Sequence, residues 1–275
     1  MQRVKALTPG PVWKLARSTY YGLQRAALWP TATFHPWRRA SIRRLSALKD
    51  CHRGERCFII GNGPSLNRTD LSRLKNEYTF GMNRIYMMFP ELGFTTTYFL
   101  TINSLVIEQC AGDIRALPIP KFLSWRSRHL IQPTDDTIFL HTTYTGPKFA
   151  TDARGRMWEG ATVTNIALQL AYHMGFEQAI LIGVDHSYSA SGKPNTTVVS
   201  EGDDPNHFNA GYFGKGFRWQ LPDLDTSERG YHMAREAYAR AGRQVLDATV
   251  GGKLMIFPKV DYNSLFPASS AGNRG

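Results

Sequence analysis

Short apolar runs alternate with amphipathic stretches along most of this chain. Cys57–Ile60, Tyr78–Met82, Thr95–Thr101, Pro120–Ser124 and Thr137–Leu140 read as strands, and Thr69–Leu74 and Ser104–Gln109 as short helices. The clearest unit follows: Thr162 caps a helix through Met174 whose Val163, Ile166, Ala167, Leu170, Ala171 and Met174 share one face, and Gly175 closes it. Ala179–Val184 is then a near-continuous apolar strand, the mark of burial on both faces. Residues 189–227 are rich in Gly, Asn, Pro and Asp and read as a lid or binding loop. A helix over Ser227–Ala241, with Tyr231, Ala234, Ala237 and Tyr238 inward, precedes strands at Gln244–Asp247 and Leu254–Phe257. Strands alternating with helices predict an α/β fold, a mostly parallel sheet with helices on both faces.

Charge divides the chain. The net charge of +11 sits almost wholly in residues 1–56, which hold 12 Lys/Arg against Asp50 and Glu55. The expected organisation is a basic, helical extension over residues 1–50 and a catalytic domain over 51–275. Trp13, Tyr20, Tyr21, Leu28, Trp29, Phe34 and Trp37 are interleaved with the arm's charges, as suits an anionic membrane surface; the alternatives are a helical extension whose aromatics pack on the body while its charges face water and, less expected, a nucleic-acid partner. Pro11, Pro30 and Pro36 predict that the arm is broken into short pieces. No apolar run approaches the roughly 20 residues of a membrane span. Three cysteines without metal-ligand spacing suggest reduced thiols, hence a cytoplasmic protein, peripheral at the inner membrane face if the arm binds lipid.

Candidate chemistry lies at strand ends. Gly61-Asn62-Gly63-Pro64-Ser65 follows the first strand directly, a place where backbone N–H groups can meet a phosphate. It is neither a Walker A loop nor a full dinucleotide fingerprint, since Leu66 stands where a third glycine belongs. Asn83 and Asn103 end later strands and could read a base or ribose, and Asp185-His186-Ser187-Tyr188 ends another. Asp185 could hold a ribose, a metal or a base; the alternative is a buried cap. His207, within the presumed lid, is a candidate general base, and His186 competes for that role.

Ile59–Leu66 and Phe80–Asn83 resemble the opening of bacterial CMP-sialic acid-dependent sialyltransferases, and Met174–Phe176 through Ile182–Asp185 a later block of theirs. The chain resembles still more an uncharacterised bacterial MptE-like family found with surface-glycan genes, through Gly160-x-Thr162-Val163-Thr164, Ala167–Tyr172, Gly183–Tyr188, Glu201–Phe208 and Tyr212–Gly216. The resemblance runs from about Cys57 to Phe266, implies a Rossmann-like fold, and leaves the arm uncovered. It implies that the glycine loop with Ser65, Asn83, Asn103 and Thr162 holds a CMP moiety, that His207 is the base, and that Tyr188 and Tyr212 steady the departing phosphate without a metal. His186 fills a position that is not histidine in those enzymes.

The expected function is sugar transfer, a nonulosonic acid being one candidate sugar, from a CMP- or other nucleotide-activated donor to a glycan or lipid-linked acceptor, with no obligatory cofactor. The archaeal namesake of the family, a 6-hydroxymethylpterin pyrophosphokinase, supplies the alternative: Mg²⁺-ATP chemistry with Asp185, Asp203 and Asp204 as metal ligands. A non-catalytic nucleotide-sugar-binding partner is the third reading.

Overall fold

The computed structural model describes residues 10–189 and 192–267; the side chains of residues 11–15, 17 and 18, Trp13 among them, and the first nine residues of the arm lie outside the description. Among the described residues, eight strands form one sheet: β1 (Arg56–Ile60), β2 (Tyr78–Met82), β3 (Tyr98–Thr101), β4 (Lys121–Ser124), β5 (Thr137–Thr143), β6 (Arg156–Trp158), β7 (Gln178–Ile182) and, after a separate antiparallel pair β8 (Thr197–Val199) and β9 (Arg218–Gln220), β10 (Gln244–Asp247). The order is β10-β7-β1-β2-β3-β4-β5-β6, and every pairing in it is parallel. From β1 the chain steps outward through β2 to β6, then returns to lay β7 on the other side of β1. The direction reverses between β1 and β7, the position where open parallel sheets bind ligands.

Alternation along the strands serves two cores. Cys57 and Ile59 of β1 and Ala179 and Leu181 of β7 face one cluster, and Phe58, Ile60, Ile180 and Ile182 face the other. The helices are α1 (Gly10–Phe34), α2 (Pro36–Leu48), the single turn α3 (Phe89–Leu92), α4 (Ser104–Gln109), α5 (Ala111–Ala116), α6 (Val163–Met174) and α7 (Leu224–Arg240). The first core takes Leu45 of α2, most of α6, and Tyr231, Ala234 and Tyr238 of α7; the second takes Ala32 of α1, Val106 and Ile107 of α4 and Ile114 of α5. Sequestering Leu168 and Leu170 of α6 contributes about 2 kcal/mol each. Thr162 Oγ1 accepts from the Thr164 N–H, and Gly175 ends the helix at φ 97°. A Cβ at Gly175 would stand 2.9 Å from Asp50 Cα, so glycine is required twice over.

Two expectations need correction. The arm is not broken into short pieces: α1 runs 25 residues with Pro30 inside it. Pro11 sits in the first turn, where its missing N–H costs nothing. Pro30 lies on the exposed side, while the turns around it are tied to the body by Arg25 Nη1 donating to Thr145 Oγ1 (2.8 Å), Trp125 Nε1 donating to Thr31 Oγ1 (3.3 Å) and burial of Ala32. Only Pro36 breaks the helix, by holding His35 extended (ψ 136°) as the cap of α2. The later part of the arm packs on the body. Arg38, Ser41 and Leu45 are buried; Ser41 Oγ accepts from the Phe139 N–H, and the Leu45 carbonyl meets His173 Nε2 at 2.8 Å. Leu254–Phe257 is not a strand: Leu254, Ile256 and Phe257 fill the core as irregular chain, with a single bridge between Asp247 and Lys259. The sequence reading passed over β6, α5 and the turn at α3.

Candidate functional site

The loop after β1 and the loop after β7 cross at the switch point. Gly61 N donates to the Ile182 carbonyl (2.7 Å) and Gly63 N to the Gly183 carbonyl (2.9 Å). Asp185 receives Ser65 N at 3.2 Å and Ser65 Oγ at 2.6 Å, closing the 3-10 turn Pro64–Arg68. The glycines are needed for this crossing. A Cβ on Gly61 would stand 2.1 Å from the Gly183 oxygen, and one on Gly63 1.8 Å from Asp185 Oδ2, although neither residue has a positive φ. The loop therefore does not offer the Gly61, Gly63 and Ser65 N–H groups to a phosphate. Ser65 is fully buried and, like Pro64, lines neither of the two cavities described next, whereas Asp185, which caps the turn through Ser65, lies on the wall of the smaller one. Asn62 donates to the Met82 carbonyl (3.0 Å) and leaves its own Oδ1 buried without a partner.

Two adjoining cavities open above these strand ends. The smaller, about 120 Å³, is bounded by Gly61, Gly63, Asn83, Thr162, His186 and Tyr231 among others. The larger, about 620 Å³, extends toward β5 and is walled by Tyr21, Arg25 and Leu28 of α1, with Asn103, Arg126, Tyr144 and Glu159 opposite. Asn83, Thr162, Tyr188 and His207 line both. Three residues here, Asn83 (φ 51°), Ala161 (φ 56°) and His186 (φ 54°), adopt left-handed backbone that non-glycine residues rarely hold, a form of strain that gathers at ligand sites.

His207 has the geometry of an oriented base. Its Nδ1 lies 2.7 Å from Asp204 Oδ2, its ring stacks on Tyr212 at 4.0 Å and 7°, and Phe213 closes its other edge. With Nδ1 held by a buried carboxylate, Nε2 is the nitrogen left to exchange a proton. Asp204 also accepts from the Asn206 N–H, whose side chain in turn accepts from Ser189. The segment carrying this pair is built into the body rather than hinged over it: Phe208 N donates to the Asn62 carbonyl, Asn67 Nδ2 to the Phe208 carbonyl, and Arg84 Nη1 to the Tyr212 carbonyl.

The competing His186 meets Glu228 Oε1 at 2.9 Å and sits edge-on to Tyr231. Tyr212 does not reach a cavity. It is buried beneath His207, its hydroxyl accepts from the Arg84 N–H, and burial raises its pKa, so of the two tyrosines only Tyr188 is positioned to meet a ligand. Asn83 Oδ1 accepts from Thr101 Oγ1 and Asn103 Oδ1 caps α4, which leaves both amide NH₂ groups for a ligand. Asp185, Asp203 and Asp204 are not assembled as metal ligands: Asp185 is spent on Ser65, Asp204 on His207, and Asp203 is exposed. No group of three His, Cys, Asp or Glu side chains is placed to hold a metal among the described residues.

The far wall was not anticipated from the sequence. Arg126 Nη2 pairs with Glu159 at 2.8 Å while the Tyr144 ring centre lies 3.5 Å from its guanidinium carbon. Burial raises the Glu159 pKa against the pull of Arg126. On the outside of α1, Tyr20, Leu23, Ala27, Pro30 and Phe34 form an exposed apolar side within about 80° of arc, opposite Tyr21, Arg25, Leu28 and Ala32. No helix among the described residues is long and apolar enough to cross a membrane.

No curated protein matches the chain. Among solved structures, the MAf glycosyltransferase from Magnetospirillum magneticum AMB-1 is similar at 15% identity and a TM-score of 0.46, over 84% of this chain and 39% of that one; the chain thus spans well under half of that protein's length. The family model described as 6-hydroxymethylpterin diphosphokinase MptE-like matches residues 38–191, from the buried first turn of α2 through the crossing loops to the His186 strand end. With more than half of its length matched, the chain belongs to the MptE-like family.

Proposed function

We propose that this protein transfers a sugar from a CMP- or other nucleotide-activated donor to a glycan or lipid-linked acceptor, with His207 as general base. The observation that carries this reading is the Asp204–His207 pair at the junction of the two cavities. The donor nucleotide occupies the smaller cavity, read by Asn62 and Asn83 and held at the mouth of α6 by Thr162, with Asn103 assisting from the adjoining wall of the larger cavity. The acceptor enters the larger cavity, where His207 Nε2 takes its hydroxyl proton as the hydroxyl oxygen attacks the anomeric carbon. The nucleotide phosphate departs toward Tyr188, whose hydroxyl stabilises the developing charge in place of the glycine loop. The outer side of α1, apolar and aromatic beside the exposed Arg39 and Arg43, rests on an anionic membrane surface at the cytoplasmic face.

Thermal shift with CMP, CTP and ATP, each with and without Mg²⁺, tests the donor: cytidine nucleotides stabilise the protein without metal. The family description keeps Mg²⁺-ATP pyrophosphoryl transfer as the second reading, and preferential stabilisation by Mg²⁺-ATP would establish it instead. His207→Ala is expected to lower turnover by about 10² to 10⁴ while CMP binding persists. Equal turnover would remove His207 from the mechanism.

A further inference from the structure

Three cations gather behind the α1 wall of the larger cavity, none of them hydrogen-bonded or ion-paired to a carboxylate among the described residues, although Asp152, itself held by Arg154, exerts some pull on Lys148. Arg25 Nη1 donates to Thr145 Oγ1 (2.8 Å), and Arg156 Nη1 donates to the Thr145 carbonyl (3.1 Å), the Gly146 carbonyl (2.7 Å) and Thr143 Oγ1 (3.1 Å). Two guanidinium groups, one from α1 and one from β6, thus converge on one threonine; Thr143, Thr145 and Arg25 line the cavity, and Arg156 and Lys148 stand behind them. Lys148 follows on the same loop and makes no hydrogen bond or ion pair among the described residues.

The acids nearby are already engaged. Glu159 is paired with Arg126, Asp223 caps α7 and accepts from Asn195, and Asp152 is held by Arg154. The cations burden one another: burial and then Arg156 lower the Lys148 pKa, and burial and then Arg25 lower that of Arg156. His141, whose Nε2 is buried without a partner, is pushed down to about 4 by burial and by Arg38, Arg156 and Lys148, so it stays neutral and relieves none of this. Crowding like charges in partly desolvated surroundings is unfavourable unless an anion joins them.

We infer that Arg25, Lys148 and Arg156 form the subsite that anchors a phosphate or diphosphate group of the acceptor. Three cations suit a multiply charged anion rather than one carboxylate, and planar guanidinium groups match phosphate oxygens two at a time. The assignment to the acceptor rests on the proposed function: the cluster lies at the β5–β6 end of the larger cavity, across His207 from the loops of β1 and β7.

Titration of the full chain with inorganic pyrophosphate, followed by calorimetry, tests the subsite. Wild type is expected to bind, and Arg25→Ala and Lys148→Ala each to weaken binding about tenfold, with the ligand-free melting temperature unchanged in Lys148→Ala. Lys148→Ala removes no hydrogen bond, so it separates lost charge from lost folding. Affinity unchanged in both variants, or no binding to wild type at millimolar pyrophosphate, would overturn the inference. Competition then identifies the source: displacement by vesicles carrying a long-chain isoprenyl phosphate, but not by neutral vesicles, marks a lipid-borne group, and displacement by a sugar 1-phosphate marks a soluble one. Displacement by CMP would overturn the acceptor assignment by placing the cluster in the donor site. CMP binding is measured independently, so failure of the pyrophosphate experiment leaves the sugar-transfer reading standing.

Discussion

The two ends of the cavity solve opposite problems. At β7–β1, backbone donors, a serine hydroxyl and a carboxylate are matched among themselves, and two chains pass so closely that no side chain fits between them. At β5–β6, Arg25, Arg156 and Lys148 are crowded together with no carboxylate paired to any of them, and only Asp152, already held by Arg154, pulls on Lys148. A glycine motif that looks like an anion cradle is here a structural crossing, and the capacity to bind an anion lies some strands away, where no motif announces it.

Changes at the two ends should therefore differ in kind. Gly61→Ala drives a Cβ into a backbone carbonyl that cannot swing aside, and a loss of about 3 kcal/mol or more in urea unfolding is expected. A loss below about 1 kcal/mol would mean that the loops separate easily and that their donors can be released to a ligand. Next in size is an acid sensitivity centred on the cationic end. The folded protein holds His141 near a pKa of about 4 against an ordinary 6.5, so the unfolded chain binds more protons between these values. Stability then rises with pH through this window, and His141 contributes about 3 kcal/mol that is present above pH 6.5 and lost as pH falls to 4. His173, also lowered by burial, acts with the same sign. Urea midpoints for His141→Gln should show a flatter dependence on pH; an identical slope would detach His141 from the effect.

Asp204→Ala is expected to cost about 100-fold in turnover through misorientation of the His207 ring. Its pH–rate profile should change shape, a readout that packing alone would not move. The smallest effect is expected at Lys148→Ala, within about 0.5 kcal/mol of wild-type stability, since the half-buried residue makes no hydrogen bond or ion pair among the described residues. Marked destabilisation there would make the cationic end as structural as the glycine end.

What the sequence disclosed was local. The cap at Thr162, the stop at Gly175 and the strands Tyr78–Met82 and Gln244–Asp247 are spelled out by neighbouring residues and were read with their observed bounds. His207 was singled out only as a histidine of the presumed lid; Asp204, which holds its Nδ1, was read as a metal ligand instead. The errors came from partners distant in the chain. The rule that proline ends a helix failed at Pro30, because Thr145 and Trp125, more than 90 residues away, hold the turns around it. Reading Ser65 as a phosphate donor required ignorance of Asp185, 120 residues on. The pairing of Arg25 with Arg156 has no sequence signature, and β6 is three residues between glycines, too short for a period to register.

Helix α1 presents Tyr21, Arg25 and Leu28 to the cavity and Tyr20, Leu23 and Phe34 to the outside, so one stretch of sequence answers to two selective demands. Shortening the chain from its beginning confounds them, because whatever recruits the helix and whatever it shelters vanish together. Substitutions one residue apart, Tyr20 against Tyr21, would segregate the two phenotypes, and a mutational scan of this helix should recover them as interleaved stripes with the helical repeat.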